Sequence, residues 1–325
     1  MGKICKVLSI DGGGIRGLIP AMVLTEIERR TGKRIAELFD VIAGTSTGGI
    51  LALALTKPGP QKRPQYAAME LIDFYTKDGT TIFPQSIFRQ IRSGAHLLDE
   101  KYPADGIETV LKRVFGDARL QDALSYVLVA SYEIEKRIPW LFRSELAKKD
   151  PTNYDFPMWQ VARATSAAPT YFEPKRIDRA GISDYWALVD GGLYANNLAM
   201  CAWVDARKLQ PDGDILVASL GTGELTRPIN YQEAKHWGLI GWAKSILDIV
   251  FDGVNKTTQV QMQQLLPDVN GTKRYYRFQV SLTKASDDMD NTDPENLEDL
   301  KEQAEELIAS RTADLDALCA QLTGA

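Results

Sequence analysis

The chain contains few histidines and few cysteines for its length. Its 325 residues include two histidines, His96 and His236, and neither has the setting expected of the histidine in a Ser-His-Asp triad. The three cysteines, Cys5, Cys201 and Cys319, form no Cys-x-x-Cys spacing. An odd number of cysteines without such a spacing argues against a disulfide framework or a zinc site. We therefore expect reduced thiols, as in a cytosolic protein.

Long hydrophobic runs are also lacking. No segment approaches the about 20 consecutive apolar residues that a membrane-spanning helix needs. The first residues lead into a strand without the apolar core of a signal peptide. Hydrophobic residues make up 44% of the chain and charged residues 25%, as is usual for soluble globular proteins. We expect a cytoplasmic globular protein.

Short apolar strands alternate with helical segments along most of the chain. Strands are predicted at residues 4–10, 126–131 and 214–220, and helices at 159–168 and 197–209. Alternation at this spacing implies an α/β layered fold with a largely parallel sheet.

A serine stands between a second predicted strand, in the apolar run at residues 38–43, and the helix-prone stretch that follows it. The segment Gly44-Thr45-Ser46-Thr47-Gly48 has the Gly-x-Ser-x-Gly pattern of a nucleophile elbow. Gly44 and Gly48 allow a sharp turn, from which the hydroxyl of Ser46 would project. Such a serine needs a base, so the identity of that base decides the function.

A glycine loop, Gly12-Gly13-Gly14-Ile15-Arg16-Gly17, lies between the first strand and a helix. Its Gly-x-Gly-x-x-Gly pattern is that of a dinucleotide site, which also needs an acidic residue at the end of the second strand. Asp40 precedes that strand instead, and the elbow occupies its end. Alternatively, the free amides of the loop could receive an oxyanion, with Arg16 nearby. A third interpretation is a tight turn without chemistry.

The candidate base is Asp190, in Val189-Asp190-Gly191-Gly192 after an apolar strand. A carboxylate with an ordinary pKa near about 4 is a weak base. Partial burial beside Ser46 would raise that pKa and make the carboxylate a competent base. The glycines Gly191 and Gly192 would leave space around it. The competing interpretation is an aspartate that only caps a turn or helix.

These motifs stand in the same order as in a known family. The aspartate and glycine loop at 11–17, the elbow at 44–48, Asp190-Gly191-Gly192, and the segment from Ala162 to Phe172 together resemble the patatin-like phospholipase family. The resemblance covers roughly residues 6–200. It implies an α/β three-layer sandwich with a central, mostly parallel sheet and helices on both faces.

The resemblance also implies a mechanism. Ser46 and Asp190 would form a catalytic dyad that hydrolyses acyl esters of phospholipids or lysophospholipids through a serine-bound acyl intermediate. No metal or organic cofactor is implied. The oxyanion hole would consist of Gly12, Gly13 and Gly14, with Arg16 in support.

The implied partner is a phospholipid substrate at a membrane surface, with peripheral contact at its inner face, and no nucleic acid polymer. Some bacterial relatives are effectors of cyclic-nucleotide antiphage signalling, and the format of this chain is compatible with a cyclic oligonucleotide activator and a role in antiviral defence. Nothing in the sequence fixes an oligomeric state.

The chain is expected to divide into a catalytic domain at 1–224 and a C-terminal helical extension at 225–325, packed on the same domain as a cap or regulatory region. The stretch from Trp237 to Phe251 fits a mobile cap or a membrane-docking helix, and equally a packed amphipathic helix. Asp293 and Pro294 are start signals for the last helix.

Two other functions compete with the lipid acyl hydrolase. One is a dinucleotide-binding oxidoreductase that uses the loop Gly12–Gly17. The other is a non-catalytic storage or interaction protein of the same fold.

Overall fold

A computed structural model describes residues 4–84, 102–179 and 183–324. His96 lies outside these residues. The described part contains eight strands in one sheet. Their bounds are β1 Cys5–Ile10, β2 Val41–Thr45, β3 Tyr126–Glu133, β4 Ile138–Arg143, β5 Lys175–Asp178, β6 Tyr185–Asp190, β7 Ile215–Leu220 and β8 Tyr275–Phe278.

The longer helices alternate with these strands. They are α1 Leu18–Thr31, α2 Thr47–Thr56, α3 Ala104–Phe115, α4 Met158–Thr165, α5 Ala199–Leu209, α6 Leu239–Leu265, α7 Pro294–Ser310 and α8 Thr312–Thr323. Short helical segments lie at Gly14–Gly17, Ile35–Leu38, Pro60–Lys62, Ala68–Leu71, Ile72–Thr76, Gly79–Ile82, Leu120–Asp122, Ser144–Lys149, Pro151–Tyr154, Gly192–Ala195 and Tyr231–Ala234. No helix in the described ranges is long and apolar enough to cross a bilayer.

The sheet is mostly parallel. Strands β8, β7, β1, β2 and β3 run parallel in that order, whereas β4 and β6 pair antiparallel with β3, and β5 pairs antiparallel with β6. Side chains alternate between the two faces. Leu8 and Ile42 belong to the core formed with α1, α2 and α7, while Val7 and Val41 belong to the core formed with α5 and Met262 of α6. The predicted three-layer α/β fold is confirmed, with helices on both faces of the sheet.

The region after residue 224 joins this architecture. Strand β8 extends the central sheet beside β7, and α7 packs against α1. Pro294 is the first residue of α7, as predicted. The one last helix expected after Asp293 is divided into α7 and α8, because the first helix ends at Ser310 and the second begins at Thr312.

Candidate active site

The ends of two strands meet on one edge of β3. Strand β4 occupies the other edge along residues 128–133, so β2 and β6 must share the remaining edge. Thr45 at the end of β2 pairs with Ala130, and Asp190 at the end of β6 pairs with the next residue, Ser131. Because β2 and β6 run in opposite directions, the chain after Thr45 faces Asp190. This topology brings Ser46 and Asp190 together from positions far apart in the sequence.

Ser46 has the backbone of a sharp strand-to-helix turn. Its φ of 54° and ψ of −125° lie outside the regions that L-residues favour. Its amide donates a hydrogen bond of 2.9 Å to Oγ1 of Thr165. A Cβ on Gly44 would overlap the carbonyl of Gly48, and a Cβ on Gly48 would overlap the carbonyl of Ile10. The two predicted glycines are therefore required by close backbone approach.

The carboxyl group of Asp190 is buried. Burial raises its pKa to about 7, and hydrogen bonds from the Gly192 amide and the Ser46 side chain offset only part of that rise. The Gly192 amide donates to Oδ1 of Asp190 at 2.7 Å. Asp190 thus makes the contact expected of an aspartate that caps a turn, and its side chain also faces Ser46. A Cβ on Gly191 would be crowded by Ala130.

Ser46 and Asp190 line one apolar pocket, which we call the Ser46 pocket. Its volume is about 50 Å³, which is room for a few water molecules. Most of its walls could not be predicted from the sequence, because they come from separate helices and loops. Its apolar lining includes Ile15, Ile50, Phe83, Phe172, Phe251 and Met289.

The glycine loop borders this pocket with two of its three predicted residues. Gly13 and Gly14 line it, and neither amide donates a hydrogen bond within the described residues. The amide of Gly12 is already bound to the carbonyl oxygen of Asn196 at 3.3 Å. The structure therefore leaves two amides available beside Ser46.

Arg16 lies behind the loop and does not line the Ser46 pocket. Its Nε donates to the carbonyl oxygen of Gly13 at 3.3 Å, and its side chain borders a neighbouring cavity with Asp248. Burial lowers the pKa of the guanidinium, and the charge of Asp248 opposes that shift. Arg16 can thus brace the loop from behind.

Neither histidine is placed at the pocket by the described structure. His236 is exposed on the segment before α6, and His96 lies outside the described residues. The described part of the chain also holds no group of three His, Cys, Asp or Glu side chains that could bind a metal ion. The acid–base group that faces Ser46 is Asp190.

A family model for patatin-like phospholipases matches residues 8–203. The chain belongs to this family. It is 33% identical to Patatin-like protein 2 of Arabidopsis thaliana, over 98% of this chain and 86% of that protein. It is 29% identical to Probable inactive patatin-3-Kuras 1 of Solanum tuberosum, over 97% of this chain and 89% of that protein. The solved structure of VipD from Legionella pneumophila aligns with a TM-score of 0.40 and 11% identity, over 95% of this chain and 67% of that one.

Membership of the family sets the dinucleotide hypothesis aside, and the geometry gives the reason. The loop approaches the serine so closely that a Cβ on Gly12 would lie 3.1 Å from Cβ of Ser46. The side chain of Asp40 lies at the other end of β2, where its Oδ2 accepts a hydrogen bond of 2.9 Å from the Lys6 amide. The acid that would hold a ribose is therefore not at the glycine loop.

The pKa of Asp190 leads to a prediction about stability. A carboxyl whose pKa is raised in the folded state stabilises the protein when protonated, and this contribution is lost as the pH rises from about 4 through about 7. Asp190→Asn should therefore gain stability relative to the wild type between pH 5 and pH 8, by about 2–3 kcal/mol. Urea denaturation at the two pH values measures this difference.

Ser46→Ala is the matched control, because it keeps the buried carboxyl and removes only a hydrogen bond that lowers its pKa, so its stability should fall with pH at least as much as that of the wild type. Identical pH dependence in the wild type and Asp190→Asn would contradict the raised pKa.

Proposed function

We propose that this protein is a serine lipid acyl hydrolase of the phospholipase A or lysophospholipase type. The observation that carries the proposal is the meeting of Ser46 with the buried Asp190 in one apolar pocket, under the free amides of Gly13 and Gly14. Membership of the patatin-like phospholipase family supports the same class of reaction.

The proposed reaction begins with attack of the Ser46 hydroxyl oxygen on the acyl carbonyl carbon, while Asp190 accepts the hydroxyl proton. The amides of Gly13 and Gly14 donate hydrogen bonds to the oxyanion that forms. Asp190 then gives its proton to the departing alcohol, which leaves the acyl group on Ser46. A water molecule, deprotonated by Asp190, releases the fatty acid and restores the serine.

A base with a pKa near 7 suits both halves of this cycle. A carboxylate with an ordinary pKa would take the serine proton poorly, whereas one raised to about 7 is ionised in part at neutral pH and holds a proton more firmly. The buried, apolar walls that raise the pKa also have the apolar character that an acyl chain would contact once the pocket is open. The apolar surroundings of Asp190 thus favour both a lipid substrate and a base with a raised pKa.

Ser46→Ala and Asp190→Asn should each lower kcat at least about 10³-fold, because each removes a group that takes part in bond making or proton transfer. The measurement is hydrolysis of a soluble p-nitrophenyl ester and release of fatty acid from phospholipid vesicles. In the wild type, kcat/KM should rise with pH through about 7 as Asp190 ionises.

Ser125→Ala and Asp205→Asn are the controls, since both side chains lie outside the Ser46 pocket. The hydroxyl of Ser125 donates to Ala36, and Asp205 pairs with Arg143. Activity that survives Ser46→Ala or Asp190→Asn would refute the dyad. A wild-type protein inactive even on the soluble ester would favour the non-catalytic alternative.

We propose that helix α6 makes the contact with the membrane surface. Phe251 faces inward and lines the Ser46 pocket. Trp242, Ile246 and Ile249 lie on the opposite face of the helix, at 39%, 51% and 43% exposure. An exposed tryptophan with aliphatic neighbours is typical of a helix that lies in a membrane interface. Helix α6 would then contact both the membrane that supplies the lipid and the Ser46 pocket.

Ile246→Glu should lower vesicle binding and vesicle hydrolysis about tenfold or more, because it replaces an apolar side chain that would enter the interface. Hydrolysis of the soluble ester should stay unchanged. Leu209→Glu, a change at an equally exposed leucine on α5, should affect neither. An equal loss with both substrates would place the defect in the fold, not in membrane contact.

Activation by a cyclic oligonucleotide stays a prediction, and the antiphage role depends on it. Its support is the small volume of the Ser46 pocket, which would have to widen before an acyl chain could enter, together with the place of Phe251 of α6 in its lining. A ligand that shifts α6 would open the pocket. Vesicle hydrolysis should be weak until a member of a panel of cyclic oligonucleotides is added, and equal rates with and without the whole panel would contradict the prediction.

A further inference from the structure

Two buried charges of opposite sign lie beneath the glycine loop. Asp11 and Arg277 are 0% and 8% exposed, and Nη2 of Arg277 lies 2.6 Å from Oδ2 of Asp11. Nη1 of the same guanidinium donates to the hydroxyl of Ser219 at 2.9 Å. From its position on the edge strand β8, this side chain thus contacts Ser219 of β7 and Asp11, the residue directly after β1.

Burial of this ion pair has a high cost in free energy. Removing two charges from water costs several kcal/mol for each ion, so a buried ion pair often contributes no more than apolar packing would. Burial raises the pKa of Asp11 even with Arg277 in contact, which indicates the same cost. A role in placing the backbone explains the pair better than a gain in stability.

The backbone next to Asp11 is the glycine loop. The Asp11 amide donates to the carbonyl oxygen of Leu220 at 2.9 Å. The carbonyl oxygen of Gly12 accepts a hydrogen bond of 2.7 Å from Oγ1 of Thr222. Hydrogen bonds to the side chain and main chain of Asp11 and to the carbonyl oxygen of Gly12 therefore hold these two residues. They directly precede Gly13 and Gly14, whose amides are free within the described residues.

A further anchor of the loop comes from the C-terminal part of the chain. The amide of Ile15 donates to the carbonyl oxygen of Met289 at 2.8 Å, and Met289 also lines the Ser46 pocket. Thr222, Arg277 and Met289 all follow residue 203, where the match to the family model ends. Residues after position 203 therefore contact the glycine loop as well as lining the Ser46 pocket through Phe251 of α6.

We infer that Arg277 is a positioning residue, which holds Asp11 so that the amides of Gly13 and Gly14 point into the Ser46 pocket. The inference rests on the proposed hydrolase function, because those amides act on the oxyanion. Without Arg277, Asp11 would be a buried carboxylate with no cation, and it would take up a proton or move towards water. Either change removes the side-chain anchor of the residue that precedes the loop.

The effect should appear in kcat and not in KM. The oxyanion exists only near the transition state, so misplaced amides leave binding of the ground-state ester almost unchanged. Arg277→Gln should lower kcat for a soluble p-nitrophenyl ester about 10²-fold, the effect of losing one oxyanion donor. Arg277→Lys keeps the charge but not the planar fork, and its kcat should fall about tenfold, with KM within about threefold in both variants.

Arg143→Gln is the matched control. Arg143 forms an ion pair of 2.7 Å with the buried Asp205, and neither residue lines the Ser46 pocket. The substitution should cost stability and leave kcat unchanged. A folded Arg277→Gln with the kcat of the wild type would overturn the inference. If that variant does not fold, an unchanged kcat in Arg277→Lys overturns it.

Hydrogen exchange tests the position of the loop independently of hydrolysis. The amides of Gly12 and Ile15 are hydrogen-bonded in the structure, so a peptide covering residues 9–20 should exchange faster in Arg277→Gln than in the wild type or Arg143→Gln. Unchanged exchange in that peptide contradicts the inference. A wild type that hydrolyses no ester would refute the proposed function, while the exchange result would still decide whether Arg277 holds the loop.

Discussion

The site depends on the head-to-head meeting of β2 and β6 on one edge of β3. Because both strands end there, Ser46 and Asp190 are brought together by the hydrogen bonds of the sheet and not by a flexible loop. The same junction encloses the carboxyl group of Asp190, and this burial raises its pKa. The sheet thereby fixes both the distance between the two groups and the basicity of one of them.

The burial that helps the chemistry works against stability. Asp190, Asp11, Arg16 and Arg277 all lie within or beside the loop and elbow, and all are more than nine-tenths buried. Water is excluded from their surroundings, so each charge interacts more strongly with nearby dipoles. A cluster of buried ionisable groups with shifted pKa values is typical of a functional site. The large apolar cores on both faces of the sheet offset its cost.

The sequence was informative where the signal is local. Alternating strands and helices predicted the layered α/β fold, and the glycines around Ser46 and Asp190 marked turns whose crowded backbone admits no side chain. The contributions of Phe251, Arg277 and Met289 could not be read in this way. Each belongs to an ordinary helix, strand or loop pattern, and only tertiary packing brings it to residues more than 200 positions away.

Helix α6 shows why the role of the C-terminal region is difficult to deduce from periodicity. An amphipathic helix has one apolar face, whereas α6 has apolar side chains on two opposite faces, Phe251 and Met262 inside and Ile246 and Ile249 outside. The inner face is accounted for by the pocket and the core beneath the sheet. Asn255 also reaches inward and accepts a hydrogen bond from Asn196, whose carbonyl oxygen holds the Gly12 amide. A displacement of α6, such as the proposed contact with a membrane would cause, would therefore act on the Ser46 pocket through Phe251 and on the glycine loop through Asn255 and Asn196.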